Sequence, residues 1–212
     1  AVILTGTRPY TGYTVVNSGT LRVDGALDGL VSVASGGTLA PGPATGIGSL
    51  NLNQPLTVDG TLHMRIDRTG SQKSDLLTAP SLILHGNLTV VNDGDALQLG
   101  DTFQLFSVSG SITRNGSTLT VPALGAGLSW DFSGLLVDGT FKVGPVTNNT
   151  IGDPNWPELL PAQLQAVRNA GYASATINPG TYDLPDGFSY QSTFALSGWS
   201  NFTVNADYVV FT

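Results

Sequence analysis

Four groups of residues in this chain are of types that could do chemistry, and each has a plainer explanation. His63 and His85 are its two histidines. Either could ligate a metal or move a proton, but neither has a second histidine at ligand spacing. The absence of cysteine removes the other usual zinc donors. Asp93 and Asp95, within Asn92-Asp93-Gly94-Asp95, offer the hard oxygens that calcium takes in sets of six or more. The calcium loop that closes on a glutamate is not completed, because Glu158 is the only glutamate, and an Asx turn explains the same four residues. Asp67, Asp75 and Asp101 read as turn residues for the same reason.

Asp131, which follows Trp130, comes nearest to a carboxylate for glycosidic cleavage. That reaction needs a second acid converging across the sugar, and no spacing here places one. Neither a Gly-x-Ser-x-Gly elbow nor a phosphate-cradling loop occurs. Trp130 and Trp199 are candidates for stacking on sugar rings. Trp156, Tyr10, Tyr13, Tyr172, Tyr182, Tyr190 and Tyr208 would join them if several share a flat face. The competing expectation is that these rings fill the interior or pack beneath a cap. Asn-x-Ser/Thr triplets at Asn87, Asn115, Asn148 and Asn201 read as by-products of composition. No catalytic residue, cofactor-binding residue or metal ligand is assigned; calcium is the one cofactor considered.

Composition narrows the remaining classes. Charged residues are 11% of 212 and hydrophobic ones 41%, so the polar surface must come from Thr, Ser, Asn and Gly. The formal charge of −7 leaves no basic patch for a phosphate backbone, which argues against a nucleic-acid partner. No apolar run approaches the roughly 20 residues of a spanning helix. Alternating aliphatics run through most of the chain, which opposes disorder. The first residues, Ala1-Val2-Ile3-Leu4-Thr5, read as the middle of a strand pattern, so the chain is expected to be a mature or excised segment.

The elements that must position these residues announce themselves by repetition. Gly19-Thr20-Leu21, Gly37-Thr38-Leu39, Gly60-Thr61-Leu62 and Gly139-Thr140-Phe141 restate one phrase. A second echo, Val23-Asp24-Gly25, Val58-Asp59-Gly60 and Val137-Asp138-Gly139, overlaps it. The first three glycines lie 18 and 23 residues apart, the length of one coil in a stacked-strand solenoid. Strands are expected at 56–58, 61–66, 81–84, 88–91, 102–106, 118–121, 135–137 and 140–143, among others. The run Ala40-Pro41-Gly42-Pro43-Ala44-Thr45-Gly46 interrupts the pattern, since proline cannot donate to a ladder. Residues 157–171 read as the one good helix, with Leu159, Leu160, Leu164 and Val167 on one stripe, Pro161 in its first turn and Gly171 at its end.

Residues 2–40 resemble the autotransporter-associated β-strand repeat of large bacterial surface proteins. The likeness rests on Leu4-Thr5-Gly6, Tyr10-Thr11-Gly12, Thr14-Val15-Val16, Gly19-Thr20-Leu21 and Val23. Residues 56–143 look like the stretch that follows such repeats, through Ser74-Asp75-Leu76-Leu77, Gly100-Asp101-Thr102-Phe103-Gln104-Leu105-Phe106 and Pro122–Asp131. Residues 157–212 look like the start of a pectate-lyase-like right-handed parallel β-helix, through Leu164-Gln165-Ala166-Val167, Thr176–Tyr182 and Leu196–Val204. These resemblances imply a secreted or surface-exposed solenoid whose helix caps the first coil. The pectate-lyase-like catalytic residues sit on later coils, so none is carried over.

The expected fold is all-β, a right-handed parallel β-helix or solenoid with one short capping helix; a β-sandwich is the alternative for the middle, where strands are spaced like hairpins. The expected domains are a β-rich module at 1–146, a linker at 147–156 and the helix with its first coils at 157–212. The expected function is a non-enzymatic extracellular structural or adhesive segment of a larger bacterial surface or secreted protein. Two alternatives stand beside it: the N-terminal portion of a carbohydrate-active β-helix enzyme with its catalytic residues beyond Thr212, and a polysaccharide-binding module. Expected partners are other copies of itself or further segments of a parent chain, and polysaccharide.

Overall fold

The computed structural model describes residues 1–146, 150–151, 159–178, 180–182, 203–205 and 209–211. Two compact units divide the chain, one of Ala1–Ala123 with Trp130–Val143, the other of Leu124–Ser129 with Gly144–Thr212.

The first unit is a parallel β-solenoid. Its strands form three ladders, and the chain visits them in turn. The first ladder stacks β1 (Val2–Arg8), the end of β2 (Thr14–Leu27), β4 (Ser49–Leu52), β7 (Leu76–Ala79) and β11 (Phe106–Val108). The second stacks the start of β2, the start of β3 (Val31–Pro41), β5 (Leu56–Val58), β8 (Leu82–Leu84) and β12 (Ile112–Arg114). The third stacks the middle of β2, the end of β3, β6 (Thr61–Ile66), β9 (Asn87–Asn92) and β13 (Thr118–Thr120). All of these pairings are parallel.

The repeated phrase is the register of the third ladder. Thr20 pairs with Thr38, Thr38 with Thr61, Thr61 with Asn87 and Asn87 with Thr118, and the residues after them form the row Leu21–Leu39–Leu62–Leu88–Leu119. Alternation along a strand sends neighbours to opposite faces, so one row must be wet and the other dry. The leucines are buried, and the Thr/Asn row faces out. Val23 and Leu62 are fully buried and Phe141 nearly so, as the inward reading requires.

Hairpin-like spacing in the middle has a simple cause. β5 and β6 are separated by two residues, yet each pairs with the coils before and after it and not with the other. The spacing measures a corner, so the sandwich alternative does not form.

Corners are where backbone conformation becomes demanding. β2 runs through all three ladders, with a register shift between Val16 and Ser18 and glycines at its bends. Gly25 has φ +134°, and a Cβ there would stand 2.4 Å from the Gly6 carbonyl oxygen of the coil beneath. Gly25→Ala is therefore expected to destabilise the unit by about 1–3 kcal/mol from backbone strain alone. An unchanged urea midpoint would show that the corner can shift.

One end of the solenoid is folded over. β10 (Thr102–Gln104) pairs antiparallel with β15 (Thr140–Pro145), in a three-stranded sheet completed by β14 (Leu128–Asp131). Residues 135–137 form a turn where the sequence suggests a strand. Val137, Asp138 and Gly139 all donate to Gly134 O, and the Gly139 carbonyl accepts from Leu105 and Phe106. Closing that turn leaves Val137 exposed and Leu135 buried.

The second unit has its own small core. Helix α1 (Leu160–Asn169) buries Leu160, Leu164 and Val167 of the expected stripe, with proline in its first turn, while Leu159 is buried just before it as the N-cap. They pack with Ala175 and Ile177 of β17 (Ser174–Ile177). β17 pairs in parallel with β16 (Thr150–Ile151) and β19 (Thr203–Asn205), and β18 (Gly180–Tyr182) does so with β20 (Val209–Phe211). Parallel pairing between strands about one rung apart continues the solenoid theme here. Among the described residues no helix is long and apolar enough to cross a membrane.

Candidate functional site

One corner of the first unit grows from coil to coil while the other two stay short. Between the third and first ladders the chain crosses at Asp24, then through 42–48, then 67–75, then 93–105. Loops carried on a rigid scaffold are the usual place for function, and Asp24, Asp67, Arg68, Lys73, Asp75, Asp93, Asp95 and Asp101 lie here.

At its centre is a buried ion pair. Arg65 follows Met64 in β6 with outward parity, but the Ala40–Gly48 segment covers it, and its side chain and that of Asp75 are almost wholly buried. The Asp75 carboxylate accepts from Arg65 Nε at 2.9 Å, Arg65 Nη2 at 3.1 Å, the Arg65 amide at 3.0 Å and the Gly48 amide at 2.9 Å. These bonds favour the ionised form, yet burial outweighs them and raises the Asp75 pKa. Gly42, at φ +85°, seals the pair: a Cβ there would stand 2.5 Å from Asp75 Oδ1 and 2.7 Å from Arg65 Nη2. Asp93 Oδ2 lies 3.9 Å from Arg65 Nη1 at the exposed side.

The coils to either side repeat the device. Asp24 Oδ1 accepts from the Ser49 amide at 3.1 Å. Asp101 Oδ2 accepts from the Gln98 amide at 2.7 Å and from Arg68 Nε at 2.9 Å. A carboxylate thus ties each growing loop to its neighbour. Such a set fixes register; its acids already accept from fixed donors.

His63 sits beside this corner. Its outward row is Arg22–Ala40–His63–Thr89, and its Nδ1 is buried without a hydrogen-bond partner. Burial pushes its pKa down, and Arg22 pushes in the same direction; Arg65 adds to this and Asp75 opposes it. The folded state therefore prefers neutral His63. Above the ordinary value of 6.5 both states are neutral and no penalty exists. As pH falls below it the unfolded chain takes up a proton that the fold resists, and stability is lost until the depressed folded value is passed. His63→Gln should flatten that acid limb in urea titrations run across the window, and an unchanged slope would remove His63 from the account.

The other candidates separate. His85 Nδ1 lies 2.8 Å from Asp59 Oδ1 at an exposed corner of the next coil, and the residue in register with His63 there is Thr89, four positions on, so the two histidines do not pair. Among the described residues no three His, Asp or Glu side chains gather as a metal site would need. The Asn92 side chain donates to Gly94 O and Asp95 O, closing the Asx-type turn. The Asp131 pKa is lowered by its hydrogen bonds with Ser133 and by Lys142, whose Nζ is 3.3 Å away. A general acid needs the opposite shift.

Trp130 packs in a cluster with Phe103, Phe132 and Phe141, its ring 4.9 Å from that of Phe141, and donates Nε1–H to Pro122 O at 3.0 Å. Trp199 and Trp156, with Tyr190 and Tyr208, lie outside the described residues. Among the described residues the exposed aromatics are Tyr10 and Tyr13, at 55% and 59%, and the Tyr10 hydroxyl donates to Tyr13 O at 3.3 Å.

Sequence reasoning missed the Arg65–Asp75 pair because alternation sends Arg65 to solvent. The one signal was the Pro/Gly run at 40–46, which supplies the side-chain-free cover. Compared with protein-family models, curated proteins and solved structures, the chain gives no match.

Proposed function

We propose that this chain is a stiff, non-enzymatic segment of a larger bacterial surface or secreted protein, which spaces, displays or assembles the parts attached to it outside the cell. The observation that carries this reading is the unbroken inward row from Leu21 to Leu119, running through five coils in register. Buried charges support it: among the described residues they are Arg65, Asp75 and Asp101, and each ties loop to coil. Stacked coils interact with their neighbours alone, so such a unit gains length without needing a cavity. The likeness of residues 2–40 to autotransporter-associated repeats supports the placement at a surface.

The test is chemical. Incubation with acidic and neutral polysaccharides should release no new reducing ends and no unsaturated products. Turnover that disappears on Asp131→Asn or on loss of any other single acid would overturn the proposal.

A polysaccharide-binding role has one observation of its own, the exposed Tyr10–Tyr13 pair. Aromatic faces with a polar tip suit sugar rings. Glycan-array binding abolished by Tyr13→Ala would support that reading, and binding indifferent to both tyrosines would end it.

A further inference from the structure

The corner between the second and third ladders is a two-residue turn in two coils, Asp59-Gly60 and His85-Gly86, and gains one residue in the next, Asn115-Gly116-Ser117. In the first two, both amides donate to one carbonyl of the preceding coil. Asp59 and Gly60 reach Val33 O at 2.8 and 3.1 Å, and His85 and Gly86 reach Val58 O, both at 2.9 Å. Their glycines lie against backbone: a Cβ would stand 2.2 Å from Ala34 O at Gly60 and 1.9 Å from Gly60 O at Gly86.

The third turn is open. Asn115 donates to Leu84 O at 2.9 Å, but no backbone acceptor among the described residues takes the Gly116 amide. Gly116 has φ +72° and nothing within 4 Å of where its Cβ would be. Both residues are exposed. Below them the turn is clamped: Arg114 donates to Ser117 Oγ at 3.1 Å and to Ser117 O.

We propose that Asn115 is a modification site, converted spontaneously through a succinimide to aspartate and isoaspartate. The Gly116 backbone nitrogen gives up its proton and attacks Cγ of the Asn115 side chain. A C–N bond closes the five-membered ring, the Cγ–Nδ2 bond breaks, and the side-chain nitrogen leaves as ammonia with the proton. Water then opens the ring at either carbonyl, giving aspartate, or isoaspartate with the backbone rerouted through Cβ. No co-reactant other than water is needed.

Three features converge on this position. The nucleophilic nitrogen is not held, the following residue has no side chain to hinder closure, and glycine allows the rotation that closure requires. Asn115-Gly116 is the one Asn-Gly pair in the sequence. Three other asparagines of the same unit are engaged: Asn92 donates to Gly94 O and Asp95 O, Asn53 donates to Asp28, and Asn87 accepts from Thr118. A carboxylate at position 115 would stand next to Arg114 and compete with Ser117 for it.

The experiment holds the full chain at mildly alkaline pH, native and in urea, and follows each asparagine by peptide mass spectrometry with isoaspartate-specific methyl labelling. The native chain should gain the amide-to-acid mass first at position 115, with isoaspartate present, at a rate close to that in urea. Asn92 should convert more slowly folded than unfolded. Asn115→Gln and Gly116→Ala should each lose the early signal. Protection of Asn115 in the native chain relative to urea, or acid appearing at Asn92 or Asn87 as fast as at Asn115, would overturn the proposal.

Discussion

Replacing Asp75 with asparagine is expected to cost about 3–5 kcal/mol, because it leaves the Arg65 guanidinium buried without its counter-charge. Asp93 stands 3.9 Å from the other arm of that guanidinium, at an exposed position, and compensates weakly. The raised Asp75 pKa says that burial already outweighs the hydrogen bonds it receives. An apolar pair of similar volume should therefore serve nearly as well as the ions. Arg65→Met combined with Asp75→Leu is expected to recover much of what Asp75→Asn loses, short of the Gly48 and Arg65 amide bonds that leucine cannot accept. Urea unfolding of the two variants measures both numbers. A single-variant cost below about 1 kcal/mol would mean that the pair is screened like a surface bridge.

Leu62→Ala should be comparably damaging, at about 2–5 kcal/mol, because its site is fully buried and flanked by Leu39 and Leu88 in the inward row. Neighbouring coils cannot collapse into the space without breaking their own register. Thr61→Ala, one residue earlier on the outward face, should stay within about 0.5 kcal/mol. Hydrogen exchange adds a spatial test: protection should fall first in β3, β6 and β9, the strands that meet at Leu62. Equal effects of the two substitutions would contradict the inside–outside assignment of the third ladder.

The coil was readable because a solenoid writes its register into the chain. Gly-Thr-Leu at 19, 37 and 60 recurs where one position meets the next coil. The phrase then decays. Gly86-Asn87-Leu88 and Ser117-Thr118-Leu119 keep the same place with altered residues, since only an outward polar side chain and an inward leucine are required. Gly139-Thr140-Phe141 keeps the letters and loses the place: its strand pairs antiparallel with β10. Local sequence specifies a turn entering a strand, and the partner decides which sheet receives it. Residues 135–137 make the same point, alternating like a strand while Gly134 O draws the following amides into a turn.

The charged corner was illegible for a different reason. Arg65 and Asp75 are ten positions apart on opposite sides of a loop, and neither type nor spacing distinguishes them from solvated turn residues. Their burial depends on the 40–48 segment of the preceding coil, whose Gly42 can close over the pair because it has no side chain. Trp130 shows the converse. Its type invites a sugar, but Phe103 and Phe141 come from β10 and β15 to pack on it beside its near neighbour Phe132, leaving it half-buried.

By itself the sequence determined the all-β class, the coil length near its start, the inward side of Val23, Leu62 and Phe141 and the helix that carries Leu160, Leu164 and Val167. Those are consequences of period-two alternation, glycine at bends and a 3.6-residue stripe, all of which act over a few neighbouring residues. Only the tertiary structure decided which corner grows, which charges are buried there and which described glycine amide is left without a backbone acceptor at its turn. Each of these is fixed by a coil stacked 17 to 31 residues away in the chain, where local pattern has no reach.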